Sequence, residues 1–359
     1  MKIFRLHRES YLSHLPTSVV ALSAVFVLAP GSARGISFVL NDVTPGGMSP
    51  AALAGFQQAT TIWQSWIANA ITVNLDIRFD ANDFSGSPFG ASTLGSASST
   101  SQGSFYTDVR NALTLKSTSG NDAIAVAGLP AGASLSFLTN DPNTSAVVTD
   151  NNGSANNSIL DINTANAKAL GLRDANDAGT DAQIAFNNTF SWDFDQSDGV
   201  GAGLQDFVGV TVHEIGHALG FVSGVDTVDL THGAGPFAGT SLDPFRVFSV
   251  LDLFRYSEDG QLNFASGGTP YFSIDGGATN LAAFSTGPFN GDGRQASHWK
   301  DNLGIGIMDP TANSPGSLNT LSSIDLVAFD VIGYQLIPES SSALLGAIGL
   351  LCIVSRRRR

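Results

Sequence analysis

The chain contains a single cysteine, Cys352, close to its C-terminal end. The segment 35–336 therefore has no disulfide to stabilise it, and a latency mechanism that depends on a propeptide cysteine is excluded. Its stability has to come from the burial of a hydrophobic core, for which about 300 residues are ample.

Basic residues are also scarce, 17 against 31 acidic residues, and the formal net charge at pH 7 is −14. Seven of the 17 lie at the two ends of the chain, namely Lys2, Arg5, Arg8 and Arg356–Arg359. The segment between the ends is therefore strongly acidic. This charge argues against nucleic acid as a partner, because phosphate contacts need basic side chains.

Long apolar runs are absent near the N-terminus. The run from Val19 to Leu28 is shorter than the ~20 residues that cross a bilayer core. It follows three basic residues and precedes small residues at 30–33, an order typical of a secretory signal peptide. We expect residues 1–34 to be this signal peptide and the protein to be exported. A short membrane anchor is the alternative.

The segment 337–359 has the order of a sorting signal. A Pro338-Glu339-Ser340 box precedes an apolar run, Ala343 to Val354, and a cluster of arginines. This order resembles the PEP-CTERM signal, which implies an exosortase-type processing enzyme and a transient contact of the tail with the inner membrane. The protein is then expected outside the cell, or on the cell surface, of a Gram-negative-type bacterium. A simple tail anchor is the alternative.

One motif in the chain indicates metal chemistry. The sequence from His213 to Gly220 reads H-E-x-x-H-x-x-G. Residues i and i+4 lie on the same helix face, so His213 and His217 can bind one metal ion. Glu214 points elsewhere and is suited to act as a general base on water, as in a zinc hydrolase. Apolar residues at helical spacing from Leu204 to Leu219 predict the helix, and Gly220 predicts its end.

A catalytic zinc site needs three protein ligands. Two of the six histidines lie within the first 34 residues, and the four that remain are His213, His217, His232 and His298. In the compact pattern H-E-x-x-H-x-x-G-x-x-H of the metzincins, the third ligand falls at position 223, which is a serine here. Asp226, His232 and His298 are then the candidates for the third ligand.

His298 stands in the sequence Ser-His-Trp-Lys, and Ile307-Met308-Asp309-Pro310-Thr311 follows shortly afterwards. Together with the helix motif, these sequences resemble the leishmanolysin branch of the metzincin metalloproteases. The resemblance covers about 205–335. It implies that His213, His217 and His298 bind one catalytic Zn²⁺, that Glu214 is the base, and that Met308 forms the turn beneath the metal. Proline at 310 stands where some metzincins have a tyrosine.

The resemblance also implies a fold. We expect an α+β protein with a metzincin-like, two-lobed zincin fold, a twisted sheet, an active-site helix and the zinc in the cleft between the lobes. Residues 35–336 would form the metalloprotease domain. Residues 224–297 would be an insertion between the second and third ligands that forms part of the cleft wall.

Local patterns predict further elements. The predicted strands are 36–40, 71–79, 133–138, 182–187, 250–256 and 270–274, and the predicted helices are 50–70, 107–115, 161–170 and 321–332. The Ser- and Gly-rich residues 83–104 are predicted to be a surface loop. Because metzincins bind substrate along an edge strand just before the active-site helix, Gln183–Asn187 is the candidate for that strand, with an ordinary paired strand as the alternative.

The acidic run Asp193, Asp195, Ser197, Asp198 and Gly199 suggests an oxygen-rich Ca²⁺ loop, although its glycine stands one position late and no glutamate closes the loop. A solvated turn is the alternative.

The sequence as a whole predicts an exported zinc-dependent endopeptidase that acts on protein or peptide substrates. Two other classes remain open. One is a cell-surface or extracellular-matrix protein with a structural zinc site, and the other is a non-catalytic adhesin of the extracellular polysaccharide layer.

Overall fold

The computed structural model describes residues 35–338, in which strands and helices alternate irregularly along the chain. The strands are β1 Ser37–Asp42, β2 Thr72–Asp80, β3 Gly95–Ser99, β4 Ser101–Phe105, β5 Phe137–Asn140, β6 Val147–Asp150, β7 Ile159–Asn163, β8 Ala182–Asn187, β9 Trp192–Asp193, β10 Gln205–Asp206, β11 Arg255–Glu258, β12 Gln261–Leu262, β13 Tyr271–Phe272 and β14 Ala282–Ala283. The helices are α1 Pro50–Trp66, α2 Tyr106–Lys116, α3 Gly120–Gly128, α4 Ala155–Ser158, α5 Thr164–Leu170, α6 Phe207–Ala218, α7 Val225–Thr231 and α8 Ser323–Val331. The protein is therefore of the mixed α+β class.

A four-stranded sheet with the strand order β1-β2-β8-β3 lies beside the site described below. β1, β2 and β8 are parallel, and β3 pairs with β8 in the antiparallel sense. Every second residue of β2 is buried, as expected for a strand with one face on the core: Val73, Leu75 and Ile77.

The edge of this sheet differs from the prediction. β8 has the predicted bounds, but it lies between β2 and β3, so the hypothesis that Gln183–Asn187 is an edge strand is wrong. Next to β8 the edge strand is β3, at the opposite edge of the sheet from β1, and it lies within the segment 83–104 predicted to be a loop. Its Gly and Ser residues have low strand propensity, and the hydrogen bonds of β8 compensate for it.

Helix α1 packs against both the sheet and α6, and α6 also contacts the sheet. Ser49 caps its first turn by accepting a hydrogen bond from the backbone N–H of Ala52. The ring of Phe56 meets those of Phe186 and Phe207 edge to face, at 5.4 Å and 5.3 Å between centroids. The indole N–H of Trp63 donates to the carbonyl of Val212 at 3.1 Å. Helix α6, which carries the motif, is thus fixed in place by α1, whose side chains contact both α6 and the sheet.

The segment between the second and third predicted ligands has its own small antiparallel sheet, in the order β12-β11-β13-β14. The predicted strand 250–256 is wrong in its first part, because Leu251–Phe254 is a turn of 3₁₀-helix. Asp252 favours this turn: its carboxylate accepts the backbone N–H groups of Ser249 and Gly224, both at 2.8 Å.

Of two further predicted helices, one begins later than predicted and the other is confirmed. The helix predicted from residue 161 begins only at Thr164, because residues 159–163 pair with β4. Helix α8 is confirmed, with Ser322 as its N-cap and Gly333 after its end at φ +111°.

The predicted signal peptide, and nearly all of the predicted sorting signal, lie outside the described residues. Between residues 35 and 338, none of the helices combines the length and the apolar character that a membrane crossing needs.

Candidate metal centre

Helix α6 carries the motif from His213 to His217, as predicted. It begins after Asp206, whose carboxylate accepts the backbone N–H of Gly209 at 2.9 Å and so caps the first turn. It ends before Gly220, whose φ of +114° only glycine adopts easily. On one face of the helix, the Nε2 atoms of His213 and His217 lie 3.0 Å apart.

His298 joins these two residues from a loop far along the chain. Its Nε2 lies 3.1 Å from Nε2 of His217, and its ring stacks on that of His213 with 5.3 Å between centroids. Among residues 35–338, these three form the one group of three or more His, Cys, Asp or Glu side chains whose ligand atoms converge. The structure therefore brings together the three histidines that the resemblance selects.

The other nitrogen of each ring determines what the cluster can bind. Each Nδ1 contacts a backbone carbonyl: His213 that of Ile307 at 2.7 Å, His217 that of Phe221 at 2.7 Å, and His298 that of Gln295 at 3.2 Å. With the Nδ1 protons donated to these carbonyls, all three Nε2 atoms present lone pairs to one another. Converging lone pairs repel each other, and a cation between them removes the repulsion.

The spacing suits a small tetrahedral ion. Two nitrogens bound to zinc at ~2.05 Å lie ~3.3 Å apart, a few tenths of an ångström more than the separations of 3.0 and 3.1 Å seen here. Burial lowers the pKa of all three imidazoles, that of His217 to about 3. The three imidazoles are therefore neutral at pH 7 and could act as metal ligands.

Glu214 lies beside the cluster and does not belong to it. Among the described residues its carboxylate has no hydrogen-bond partner, and it faces the cleft. Burial raises the pKa of Glu214 to about 8. The edge strand passes close by, because a Cβ on Gly95 would lie 3.2 Å from Oε1 of Glu214. Glycine at the start of β3 thus leaves room for this carboxylate.

Met308 lies beneath the histidine helix. A Cβ on Gly216 would come within 2.5 Å of the sulfur of Met308, so the helix needs glycine there. Behind it, the buried carboxylate of Asp325 accepts the indole N–H of Trp299 at 2.7 Å and the backbone N–H of Ile307 at 2.8 Å. Asp325 thereby holds Trp299, which follows His298, and Ile307, whose carbonyl orients the ring of His213.

Asp226, a candidate third ligand, has a different position. Its carboxylate accepts the backbone N–H of Ala296 at 2.6 Å and that of Ser297 at 3.2 Å, and the hydroxyl of Ser297 also donates to it. It therefore holds the loop that presents His298. Sequence patterns indicate neither of these roles, because the residues that Asp226 and Asp325 hold in the site are distant from them in the chain.

His232, the other candidate, lies outside the cluster. The residue is buried at the end of α7, and neither ring nitrogen has a partner among the described residues. The acidic loop also lies apart from the cluster, and its Asp193 and Asp195 carboxylates accept nearby backbone N–H groups. Whether this loop binds Ca²⁺ stays a prediction.

The cluster opens into a cleft of about 1280 Å³. Strand β3 forms one side, and the segments around His298 and Pro310 line other parts of the wall. The lining includes no tyrosine. A chain lying in the cleft would therefore meet the three histidines, Glu214 and a free strand edge together.

No protein family, curated protein or solved structure matches the chain.

Proposed function

We propose that this protein is a zinc-dependent endopeptidase with a metzincin-like, two-lobed fold, in which His213, His217 and His298 bind the metal and Glu214 is the general base. The observation that carries the proposal is the convergence of three neutral Nε2 atoms, each with its Nδ1 on a backbone carbonyl, beside an unpartnered carboxylate in an open cleft.

Zinc is the metal that suits these ligands best. Three imidazoles that leave one position open are the donor set of catalytic zinc sites, whereas Ca²⁺ and Mg²⁺ prefer oxygen ligands. When bound, zinc supplies Lewis acidity, which lowers the pKa of water and polarises a peptide carbonyl.

Glu214 would move the proton. Its high pKa of about 8 comes from burial without a charged partner, and a nearby dication would favour the ionised form. As a carboxylate it accepts the proton of the attacking water, and it then returns the same proton to the amine that leaves when the peptide C–N bond breaks. One side chain thereby serves both halves of the hydrolysis.

A peptide is the substrate that the cleft fits. The main chain of an extended peptide can pair with the free edge of β3, whatever its side chains, while the cleft wall selects side chains. This supports a protease. The histidine helix and the methionine beneath it are parts that the metzincin resemblance implies, whereas the edge strand is β3 and not the predicted 183–187.

Two proposals concern the rest of the chain. We infer from the sequence of its ends that the protein is exported and that an exosortase-type enzyme processes its tail. A structural zinc in a surface or matrix protein is the rival function. The position of Glu214 argues against it, because a structural site has no use for an unpaired buried carboxylate.

The test is to measure zinc content and hydrolysis in the same preparation. We expect about one zinc per chain, cleavage of a denatured protein substrate, loss of cleavage with a chelator and recovery when zinc is restored. A protein that retains one zinc per chain but cleaves neither denatured proteins nor peptides would support the structural role.

A further inference from the structure

The free strand edge continues beyond the cleft. Strand β3 pairs with β8, and β4 pairs with β7, with only Thr100 between the two. The N–H of Thr100 donates to the carbonyl of Asp181 at 2.8 Å, and its carbonyl accepts the N–H of Thr164 at 2.9 Å. The N–H and C=O of one strand residue point to the same side, so β8 and β7 both lie on that side of the chain.

The opposite side is consequently one continuous edge. Along 95–105, the backbone groups of alternate residues, beginning with Gly95 and ending with Phe105, point away from β8 and β7. Within the described part of the chain, β3 is the last strand of its sheet and β4 belongs to a sheet of two. The edge starts beside Glu214 and spans ~33 Å at ~3.3 Å per residue.

The far end of this edge reaches a second groove of about 730 Å³, lined by apolar residues and also by Gln102, Ser104, Asp108 and Arg246. Residues from both faces of β4 line it, which places the groove along the strand edge itself. Its apolar side chains include Phe105, 59% exposed, and Phe245, 53% exposed, together with Ile159 and Leu172. Two exposed phenylalanines at the end of an unpaired edge are a typical site for a bound apolar side chain.

We propose that this groove is a distal substrate subsite, filled by an apolar side chain of an extended polypeptide that pairs with β3 and then β4. The proposal rests on the proposed function, because the cleaved chain is the occupant. The continuity of one edge from Glu214 to Phe105 favours a single extended chain over a separate partner. Such a chain gains main-chain hydrogen bonds along the whole edge.

The chain direction determines which part of the substrate binds there. β3 and β4 run from Glu214 towards the groove, and antiparallel pairing is the more stable arrangement. The substrate then runs from the groove towards Glu214. Its anchoring side chain lies roughly six to ten residues before the scissile bond, given ~3.3 Å per residue.

The test uses two internally quenched peptides with the same residues around the cleavage site. The long peptide has about ten residues before the scissile bond and carries a phenylalanine roughly six to ten residues before that bond. The short peptide has about four residues before it. We expect kcat/KM to be roughly tenfold higher for the long peptide, the effect of burying one apolar side chain. In the double variant Phe105→Ser, Phe245→Ser, the ratio of kcat/KM for the long peptide to kcat/KM for the short one should fall to near one.

Phe237→Ser is the matched control, because Phe237 is also exposed, at 62%, and lines neither the cleft nor the groove. It should keep the wild-type ratio. A ratio that the double variant leaves unchanged, or a length effect produced only by extension on the C-terminal side, would overturn the proposal.

Binding separates this proposal from the proposed function. Fluorescence anisotropy on Glu214→Gln should give tighter binding of the long peptide, lost when the two groove substitutions are added. If no peptide is cleaved by the zinc-loaded wild type, the endopeptidase function is wrong, while this binding difference still supports the groove. Equal binding of both peptides contradicts the groove whatever the activity.

Discussion

The backbone N–H of Ser223 donates a hydrogen bond to the hydroxyl of Ser297 at 2.8 Å, which joins the loop after the histidine helix to the residue before His298. Ser223 occupies the position at which the compact metzincin pattern places its third histidine. In this chain Ser223 instead supports the loop that carries His298, through its hydrogen bond to Ser297. The hydroxyl of Ser297 in turn donates to Asp226.

The first prediction concerns Asp226. Asp226→Asn replaces one carboxylate oxygen with an NH₂ group, which cannot accept hydrogen bonds from Ser297. We expect zinc affinity to fall about 10- to 100-fold, the usual effect of losing a partner behind a metal ligand. Competition with a chromogenic chelator measures it, and the absorption spectrum of the Co²⁺-loaded variant should change. An unaltered spectrum and affinity would leave Asp226 with a purely structural role.

The second prediction concerns Glu214. Glutamine has the shape of glutamate but cannot take up a proton, so Glu214→Gln should retain about one zinc per chain and lose peptide hydrolysis by a factor on the order of 10² or more. Metal analysis and kcat/KM on one preparation check both parts. Retained hydrolysis in the zinc-loaded variant would remove Glu214 from its proposed role.

The third prediction compares two histidines. His298→Ala should weaken zinc binding by several kcal/mol, because one ligand contributes a share of a total of about 10–16 kcal/mol in structural zinc sites. His232→Ala is the matched control, since His232 lies outside the cluster, and it should leave metal content unchanged. The reverse result in metal analysis would rule out the proposed ligand set.

The fourth prediction concerns the pH dependence of stability. Burial raises the pKa of Asp330 from 3.8 to about 6, although Ser119 donates a hydrogen bond to it at 2.7 Å. Between pH 4 and pH 6 the unfolded chain therefore releases this proton first, and the contribution of Asp330 to stability decreases as pH rises. Asp330→Asn should raise the free energy of unfolding at pH 7, by on the order of 1 kcal/mol.

Urea denaturation at two pH values provides the check for Asp330. The difference between variant and wild type should shrink as the pH falls and disappear at about pH 3, below the ordinary pKa of 3.8, where the aspartate is mostly protonated in both states. A difference that stays the same at pH 7 and at about pH 3 would show that the substitution acts through packing.

The parts of the structure that sequence predicts well are those determined locally. Helix α6 and its two histidines follow from apolar spacing and a terminal glycine, and β8 follows from its run of small and apolar residues. The third histidine follows only from the family resemblance, because residue counts and spacing leave His232 and Asp226 as alternatives to His298.

The parts that sequence misses depend on distant partners. Strands β3 and β4 are rich in serine and glycine, and they form because β8 and β7 supply the hydrogen bonds. The position of Asp325 is equally hidden, because three of its partners lie 17 to 26 residues earlier in the chain. The local sequence indicates only the capping box that Asp325 forms with Ser322 at the start of α8.

The contact between Gly216 and Met308 has a chemical consequence. Met308 has no exposed surface, so an oxidant reaches its sulfur only when helix α6 and the methionine turn separate. Conversion to the sulfoxide would place a polar oxygen where not even a methyl group fits on Gly216. The folded chain thus shelters its most oxidisable core atom, and sulfoxide at Met308 would mark molecules in which this region had opened.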